Sequence, residues 1–363
     1  MKEINQKTSP AYLRLYVRIR NEIVKGIYPF GSKLPSKRTM ADEASVSTVT
    51  VEHAYALLCD EGYIESRERS GYYVIFHTED GFASYSERSA FRLEVPERRD
   101  GTSLSFPFSV LTKTMRSVIS EYGESILKRS PNRGCLELRE SIAKYLARSR
   151  GIIAESEQII IGSGSEYLYS LIVEIFGRDK TYAIEYPSYK KIEQIYTAAS
   201  AKYESLPLGN YGIETTALWA SSADVLHISP YRSFPSGVTA TASKRHEYMR
   251  WASISGRFII EDDFESEFSV SKKTEETLFS LSDNDNVIYM NTFSKTISSS
   301  LRIGYMVLPK RLTKLFDEKV GFYSCAVSTY MQLVLSELIS NGDFERHINR
   351  VRRKKRKELT AEK

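Results

Sequence analysis

The chain has 363 residues, of which 41% are hydrophobic and 27% charged, a composition typical of a soluble protein with two or three domains. No apolar run approaches the ~20 residues that cross a bilayer, and the N-terminus is charged where a signal peptide would be apolar. We therefore expect a cytoplasmic protein. The cysteines Cys59, Cys135 and Cys325 are far apart and include no CxxC pair, which argues against a disulfide framework or a zinc site.

The net charge of +5 originates at the C-terminal end of the chain. Residues 346–363 contain nine Lys or Arg and two Glu, so this segment contributes +7 and the rest of the chain −2. Such a run is typical of a solvated helix face or a terminus. The overall charge is therefore no argument for nucleic-acid binding.

The N-terminal part predicts three short helices. Apolar residues recur at helical spacing over 12–23, and two glycines and two prolines then end the pattern. Ser36 can cap a second helix over 37–44, and Ser47 can cap a third. The third helix is expected to bury Val51, Ala54, Tyr55 and Leu58 and to leave Thr48, Thr50, Glu52 and His53 off that face.

Two β-like runs, "YIES" and "GYYVI", flank the charged turn "RERSG" after the third helix. Two short helices with a tight turn, followed by such a hairpin, predict a helix-turn-helix with a wing. Residues 9–76 resemble the winged helix of the GntR family through "LPSKR", "VSTVTVEHAYALLCDEGYIES" and "SGYYV" in that order. A helical module that binds only proteins is the alternative.

The GntR resemblance implies which residues face DNA. Arg38 and the start of the third helix, with Ser47, Thr48 and Thr50, would contact the duplex, and Gly71 would lie in the wing near a phosphate. Position 48 departs from the family, which commonly has arginine there. A threonine can bond a phosphate or a base edge, but it cannot make the bidentate contact to guanine.

Residues 77–103 are polar and aperiodic and are interpreted as a linker. From residue 104 onward, helical and strand patterns alternate. An amphipathic helix ends at Gly151, "QIIIGSGS" predicts a strand and "EYLYSLIVEIF" a helix, and four more short apolar runs follow. This alternation of helices and strands predicts a mostly parallel, doubly wound α/β sheet, in which ligands bind beyond the carboxyl ends of the strands.

The predicted strand ends carry groups that together suit one ligand. They include a lysine between hydroxyls in "NTFSKTISSSLR", an arginine seven residues later, a carboxylate in "IIEDDF" and the small-residue turn "GSGSE". A lysine amine condenses with an aldehyde, an arginine and a helix N-terminus bind a phosphate, and a carboxylate pairs with a protonated ring nitrogen. Pyridoxal 5'-phosphate meets all of these requirements.

The region from residue 104 resembles the large domain of fold-type I aminotransferases, and the whole chain resembles MocR-type transcriptional regulators. The resemblance implies that Lys295 is the Schiff-base lysine and that Asp262 pairs with the pyridine nitrogen, 33 residues before it. It also implies that Tyr189 stacks on the ring. The phosphate would be held by Ser163, Gly164, Ser165, Thr292 and Arg302.

Each motif alone has a simpler explanation. A lone lysine is usually on the surface, and "GSGS" is usually a turn. The carboxylates Asp262, Asp263 and Glu265 are a conceivable Mg²⁺ site, but no phosphate-cradling GxxxxGK[ST] accompanies them, so we expect no metal. The agreement of several motifs in the order of the family favours the cofactor site.

Two features bear on activity. Phe264 and Phe234 stand where aminotransferases usually have a tyrosine and an asparagine that bond the phenolic oxygen of the cofactor. The resemblance also stops at the chain end, whereas the family continues for about a hundred residues into a small domain, so a truncated or naturally short form is expected. We therefore expect inefficient transamination.

Two functions remain from the sequence. The first is a regulator that binds a double-stranded DNA operator and senses pyridoxal phosphate or an amino compound through a degenerate aminotransferase domain. The alternative is a working aminotransferase with an appended DNA-binding domain. In either case the resemblance implies a homodimer, because fold-type I domains are generally dimers.

Overall fold

The computed structural model describes residues 10–77 except 69, and residues 106–361 except 255, 265 and 270–275. Internal contacts divide the chain into two units, Met1–Arg99 and Asp100–Lys363. The division falls within the predicted linker, which from residue 78 onward lies outside the described ranges. Each unit is considered by itself below.

The described residues of the first unit form three helices and a two-stranded antiparallel hairpin, which are α1 (Ala11–Val24), α2 (Lys37–Ala44), α3 (Thr48–Asp60), β1 (Ile64–Arg67) and β2 (Gly71–Val74). The side chains of Ser36 and Ser47 accept hydrogen bonds from the third backbone N–H after them, each at 3.2 Å, and so cap α2 and α3. Between these helices Ser45 has a φ of +52°, which produces the tight turn.

The core of the first unit follows the periodicity of the sequence. Its buried residues include Leu15, Tyr16, Ile19 and Ile23 from α1 and Val51, Ala54, Tyr55 and Leu58 from α3. The buried Tyr55 hydroxyl donates to the Pro35 carbonyl at 2.9 Å and thereby ties α3 to the start of α2. The predicted winged helix-turn-helix is confirmed.

The helices of the second unit are α4 (Phe108–Tyr122), α5 (Leu136–Arg150), α6 (Ser165–Phe176), α7 (Lys190–Ala198), α8 (Thr215–Ala220), α9 (Ala242–Ala252), α10 (Lys310–Val320), α11 (Thr329–Ser340) and α12 (Asp343–Ala361). Its strands are β3 (Ile159–Gly162), β4 (Thr181–Tyr186), β5 (Lys202–Gly209), β6 (Gly212–Ile213), β7 (Val225–Ile228), β8 (Phe258–Asp262), β9 (Val287–Thr292) and β10 (Gly304–Val307).

The strands of the second unit form one sheet in the order β3-β10-β9-β8-β7-β4-β5-β6. Strands β9, β8, β7, β4 and β5 are parallel, while β10 is antiparallel to both of its neighbours. Adjacent residues of one strand face opposite sides, so that Ile260 packs with α6, α7 and α10 and Ile259 packs with α8 and α9. The predicted doubly wound, mostly parallel α/β fold is confirmed, and the carboxyl ends of β4, β7, β8 and β9 lie at one edge.

The basic segment at the end of the chain belongs to α12. Arg353 and Lys354 are exposed, as a solvated helix face requires, but the opposite side of the helix is docked. The Arg352 Nε donates to the Glu267 carbonyl at 2.6 Å, and the Lys355 ammonium lies 4.9 Å from the centre of the Phe268 ring. The prediction of a solvated helix face therefore holds for one side of α12.

Candidate functional site

A cavity of about 350 Å³ opens at the carboxyl ends of the parallel strands. Six residues expected at the cofactor line it, namely Ser165, Tyr189, Asp262, Thr292, Lys295 and Arg302. Ser163 and Gly164 are not among the lining residues but form the turn before α6, where Gly164 has a φ of +92°. The fold thus brings together side chains that are up to 137 residues apart in sequence, from Ser165 to Arg302.

The consecutive carboxylates Glu261, Asp262 and Asp263 at the end of β8 have three different environments. Glu261 accepts the backbone N–H groups of Leu278 and Phe279 at 2.8 and 2.9 Å. Asp263 is paired with the buried Arg150. Only Asp262 lines the cavity.

Asp262 is held by neighbours that are themselves buried. Its Oδ2 accepts a hydrogen bond from the Tyr169 hydroxyl and lies 3.9 Å from His227 Nε2, while His227 Nδ1 lies 2.7 Å from the Tyr196 hydroxyl. Burial and the nearby carboxylate raise the pKa of Tyr169 well above its ordinary value, so its hydroxyl keeps the proton that it donates. Asp262 Oδ1 is buried without a hydrogen-bond partner among the described residues.

Lys295 follows β9 by three residues and projects into the same cavity. Its ammonium lies 4.5 Å from the centre of the Phe264 ring, so the phenylalanine that stands where aminotransferases usually have a tyrosine lies against the Lys295 side chain. The Tyr189 and Phe234 rings, which also line the cavity, meet edge to face with centroids 6.0 Å apart. Aromatic rings and the lysine therefore line the same cavity.

The other end of the cavity is rich in charge. Arg302 lies beside the turn at Gly164, close enough that a Cβ on that glycine would be 3.6 Å from the guanidinium carbon. Glu166, in the first turn of α6, accepts from Arg302 Nη2 at 2.9 Å and is also paired with Lys191. The Lys191 hydrogen bond, followed by that of Arg302, lowers the pKa of Glu166.

Glu185 is a second buried carboxylate in the cavity wall. It accepts from the Ser233 hydroxyl at 2.6 Å and from the Ser229 backbone N–H at 3.2 Å. Burial raises its pKa to about 7 despite these bonds, because desolvation of the charged form outweighs them.

The residues present fit pyridoxal phosphate. The unpartnered Asp262 Oδ1 is a ready acceptor for a protonated ring nitrogen, since a buried carboxylate oxygen without a partner is costly. Ser188 Oγ, buried and without a hydrogen-bond partner in the described part of the chain, offers a further polar group at the wall. Arg302 and the N-terminus of α6 provide positive potential for a phosphate.

Sequence reasoning missed several residues that line this cavity, chiefly Glu166, Tyr169, Glu185 and His227. Glu185 and His227 are single polar residues in the apolar runs "TYAIEY" and "VLHIS", a signal by which they could have been found. Tyr169 lies one helical turn after Ser165 and shares its face.

The predicted DNA-facing residues lie on one module. Arg38, Ser47 and Thr48 are exposed, and Thr50 is half-buried beside the Ser47 cap. Gly71 begins β2 with a φ of +107°, and a Cβ there would lie 3.1 Å from Lys33 Cε. Lys33 is thus a cation at the wing that sequence reasoning did not name.

Two further features concern other kinds of site. Among the described residues no cluster of three or more His, Cys, Asp or Glu has the arrangement of a metal site, while Glu265 lies outside those residues. In the same part of the chain, no helix combines the length and the apolar character that crossing a membrane requires.

Comparison with known families identifies both units. Residues 11–74 match the bacterial regulatory proteins of the gntR family, and residues 100–362 match aminotransferase class I and II. The protein therefore joins a DNA-binding winged helix to a fold-type I aminotransferase-like domain. It belongs to the MocR-like family of HTH-type transcriptional regulators.

Three relatives illustrate this family. The HTH-type regulator YdeL of Bacillus subtilis is 34% identical over 96% of this chain and 77% of its own length. The probable rhizopine catabolism regulatory protein MocR of Rhizobium meliloti is 28% identical over 95% of this chain and 74% of its own. The pyridoxine biosynthesis transcriptional regulator PdxR of Corynebacterium glutamicum is 26% identical over 94% and 75%.

Among solved structures, the kynurenine aminotransferase of Pyrococcus horikoshii, in complex with PMP, matches with a TM-score of 0.62 and 26% identity. The match covers 68% of this chain and 64% of that enzyme, so the chain spans less than two thirds of its length.

Proposed function

We propose that this regulator binds pyridoxal phosphate in the cavity of its aminotransferase-like unit, through Lys295, and that occupancy of the cavity controls DNA binding by the winged helix. The observation that supports this most is the meeting of Lys295, Arg302 and the unpartnered Asp262 Oδ1 in one cavity. The likeness to PdxR, a regulator of pyridoxine biosynthesis, points the same way.

Each residue has a defined task in this proposal. When bound, pyridoxal phosphate supplies an aldehyde that condenses with amines and a ring that withdraws electrons. Lys295 supplies the amine, Asp262 accepts the ring N–H, and Tyr189 covers the ring. Ser165, Thr292 and Arg302 hold the phosphate, with Ser163 and Gly164 shaping the turn beneath it.

The test is the absorbance that appears when pyridoxal phosphate condenses with the lysine. We expect this band in the wild-type protein and its loss in Lys295→Ala. Lys191→Ala is the matched control, because Lys191 is also near the cavity but is not placed to react, and it should keep the band at saturating cofactor. Absence of the band in the wild-type protein contradicts the proposal.

The alternative function is a working aminotransferase, since residues 100–362 match aminotransferase class I and II. Phe264 beside Lys295 and Phe234 at the wall argue against it, since neither donates a hydrogen bond to the phenolic oxygen of the cofactor. Conversion of a keto acid to an amino acid by the loaded protein would favour the enzyme, and its absence together with cofactor-dependent DNA binding favours the regulator.

The DNA surface is tested separately. Arg38→Ala and Thr48→Ala should weaken operator binding, and Arg38→Ala should reduce the salt dependence by about one charge if Arg38 contacts a phosphate. Neutralising exposed cations of α12 is the control and should change mainly non-specific affinity. If the α12 variants lost specific binding while Arg38→Ala and Thr48→Ala bound normally, the DNA-binding surface would lie on α12 instead.

A further inference from the structure

The phosphate end of the cavity contains a carboxylate of this chain. Glu166 Oε2 accepts from Arg302 Nη2 at 2.9 Å, while its Oε1 is paired with Lys191 Nζ. Glu166 and Arg302 both line the cavity, with side chains 30% and 52% exposed. Arg302, which is proposed to bind the phosphate, is therefore already paired with the negatively charged Glu166.

The charges at this end do not match a phosphate dianion. Arg302 and Lys191 provide two positive charges, and Glu166 cancels one of them. Glu166 also lies in the first turn of α6, so it uses the same positive helix end that a phosphate would use. Removing only the charge of Glu166 would leave two cations facing a dianion.

We propose that Glu166 sets the affinity of this site by competing with the ligand phosphate for Arg302, so that pyridoxal phosphate is an exchangeable ligand rather than a permanently bound group. This inference rests on the proposed function. A sensor must release its ligand when the ligand concentration falls, and an opposing charge on the phosphate-binding arginine provides such release without altering Lys295.

Lys191 provides a way to separate competition from simple structural support. It lies in the first turn of α7, two residues after Tyr189, so the pair Glu166–Lys191 connects α6 to α7. If the pair only supported the fold, loss of either partner would weaken binding. Under competition the two losses have opposite effects, because removal of Lys191 leaves Glu166 with Arg302 alone and removes a cation.

The experiment is a titration of the full chain with pyridoxal phosphate and, in parallel, with pyridoxal, which lacks the phosphate. Glu166→Gln should bind pyridoxal phosphate about three- to tenfold more tightly, the range for relief of one exposed opposing charge. Lys191→Met should bind it more weakly. Affinity for pyridoxal should change by less than about twofold in both variants.

Binding of inorganic phosphate, measured by calorimetry, separates failure of this inference from failure of the proposed function. Tighter phosphate binding by Glu166→Gln in a protein that never condenses with the aldehyde would overturn the proposed function and support the competition. Condensation with unchanged or weaker affinity in folded Glu166→Gln would overturn the competition and leave the proposed function standing. Unchanged phosphate binding without condensation would overturn both.

Discussion

At the scale of single residues, buried side chains of the cavity wall hold Asp262 in place. Tyr169 donates to Asp262, and His227 lies behind that carboxylate with its other nitrogen on Tyr196. Asp262 is only 3% exposed, so its orientation depends on these neighbours rather than on water. Tyr169 is therefore a positioning residue for the proposed ring-nitrogen contact.

Tyr169→Phe removes the hydroxyl donor and keeps the ring. A hydrogen bond to a charged group contributes about 1.5 to 3 kcal/mol, so we expect affinity for pyridoxal phosphate to fall at least about tenfold while the absorbance band at saturation keeps its wavelength. Tyr167→Phe is the control on the same helix. Equal affinity in wild type and Tyr169→Phe would mean that the bond does not position Asp262.

At the scale of elements, the N-terminus of helix α3 has a structural task and a second, predicted task in DNA binding. Ser47 caps the helix and is also expected to face DNA, so one substitution cannot separate the two tasks. Ser47→Ala should lower the free energy of unfolding of the first unit by about 1 kcal/mol. Ser47→Asp should retain the cap and the stability but weaken DNA binding, because a carboxylate repels phosphate.

Thermal unfolding and DNA titration of the two variants provide the measurement. If Ser47→Asp binds DNA as well as wild type, Ser47 serves only as a cap and the first turn of α3 does not approach the phosphates.

The helices and strands could be predicted from the sequence because the patterns that mark them are local. Capping serines at 36 and 47, Gly151 at the end of α5 and the apolar runs of β8 and β9 mark helices and strands within a few residues of chain. The pairing of Glu166 with Arg302 could not be predicted, because it joins residues 136 apart in sequence that meet only through the pairing of β3 with β10. Sequence identifies which strand ends carry polar groups, but only the sheet order determines which of those groups meet.

At the scale of the whole molecule, buried carboxylates determine how stability depends on pH. Burial raises the pKa of Glu185, Glu261 and Glu267 to about 7 in the folded state, above the ordinary value of 4.5. Between pH 4.5 and about pH 7 the folded state binds more protons than the unfolded state. The free energy of unfolding is therefore greatest at the acidic end of this range and falls as the pH rises to about 7. The buried His347, with its pKa lowered to about 4, opposes this trend below about pH 6.5.

Urea unfolding of the second unit at about pH 5.5 and about pH 8 should therefore show lower stability at the higher pH. Glu185→Gln keeps an oxygen for Ser233 and Ser229 and removes the charge, so it should shrink this difference by about 2 kcal/mol. An unchanged difference in Glu185→Gln would mean that Glu185 ionises in the folded protein as readily as in water.

Assembly is a further property of the whole molecule. The second unit exposes Leu127 by 82% and Phe322 by 74%, and Phe322 packs on Tyr323 with ring centroids 4.3 Å apart. Exposed apolar surface can support association, and the resemblance to fold-type I domains implies a dimer, so we predict a homodimer. Sedimentation should show a dimer that Phe322→Glu weakens, whereas a wild-type monomer at micromolar concentration would contradict the prediction.

Control of DNA binding by the cavity of the second unit can be measured on the full chain. The affinity of the full chain for a duplex that it selects from a random pool is measured by fluorescence anisotropy, with and without saturating pyridoxal phosphate, for wild type and Lys295→Ala. We predict a shift of at least about fivefold in wild type and none in Lys295→Ala, since a ligand moves an equilibrium only through its different affinity for the two states. Equal DNA affinity with and without pyridoxal phosphate in a wild-type protein that has condensed with it would contradict the account.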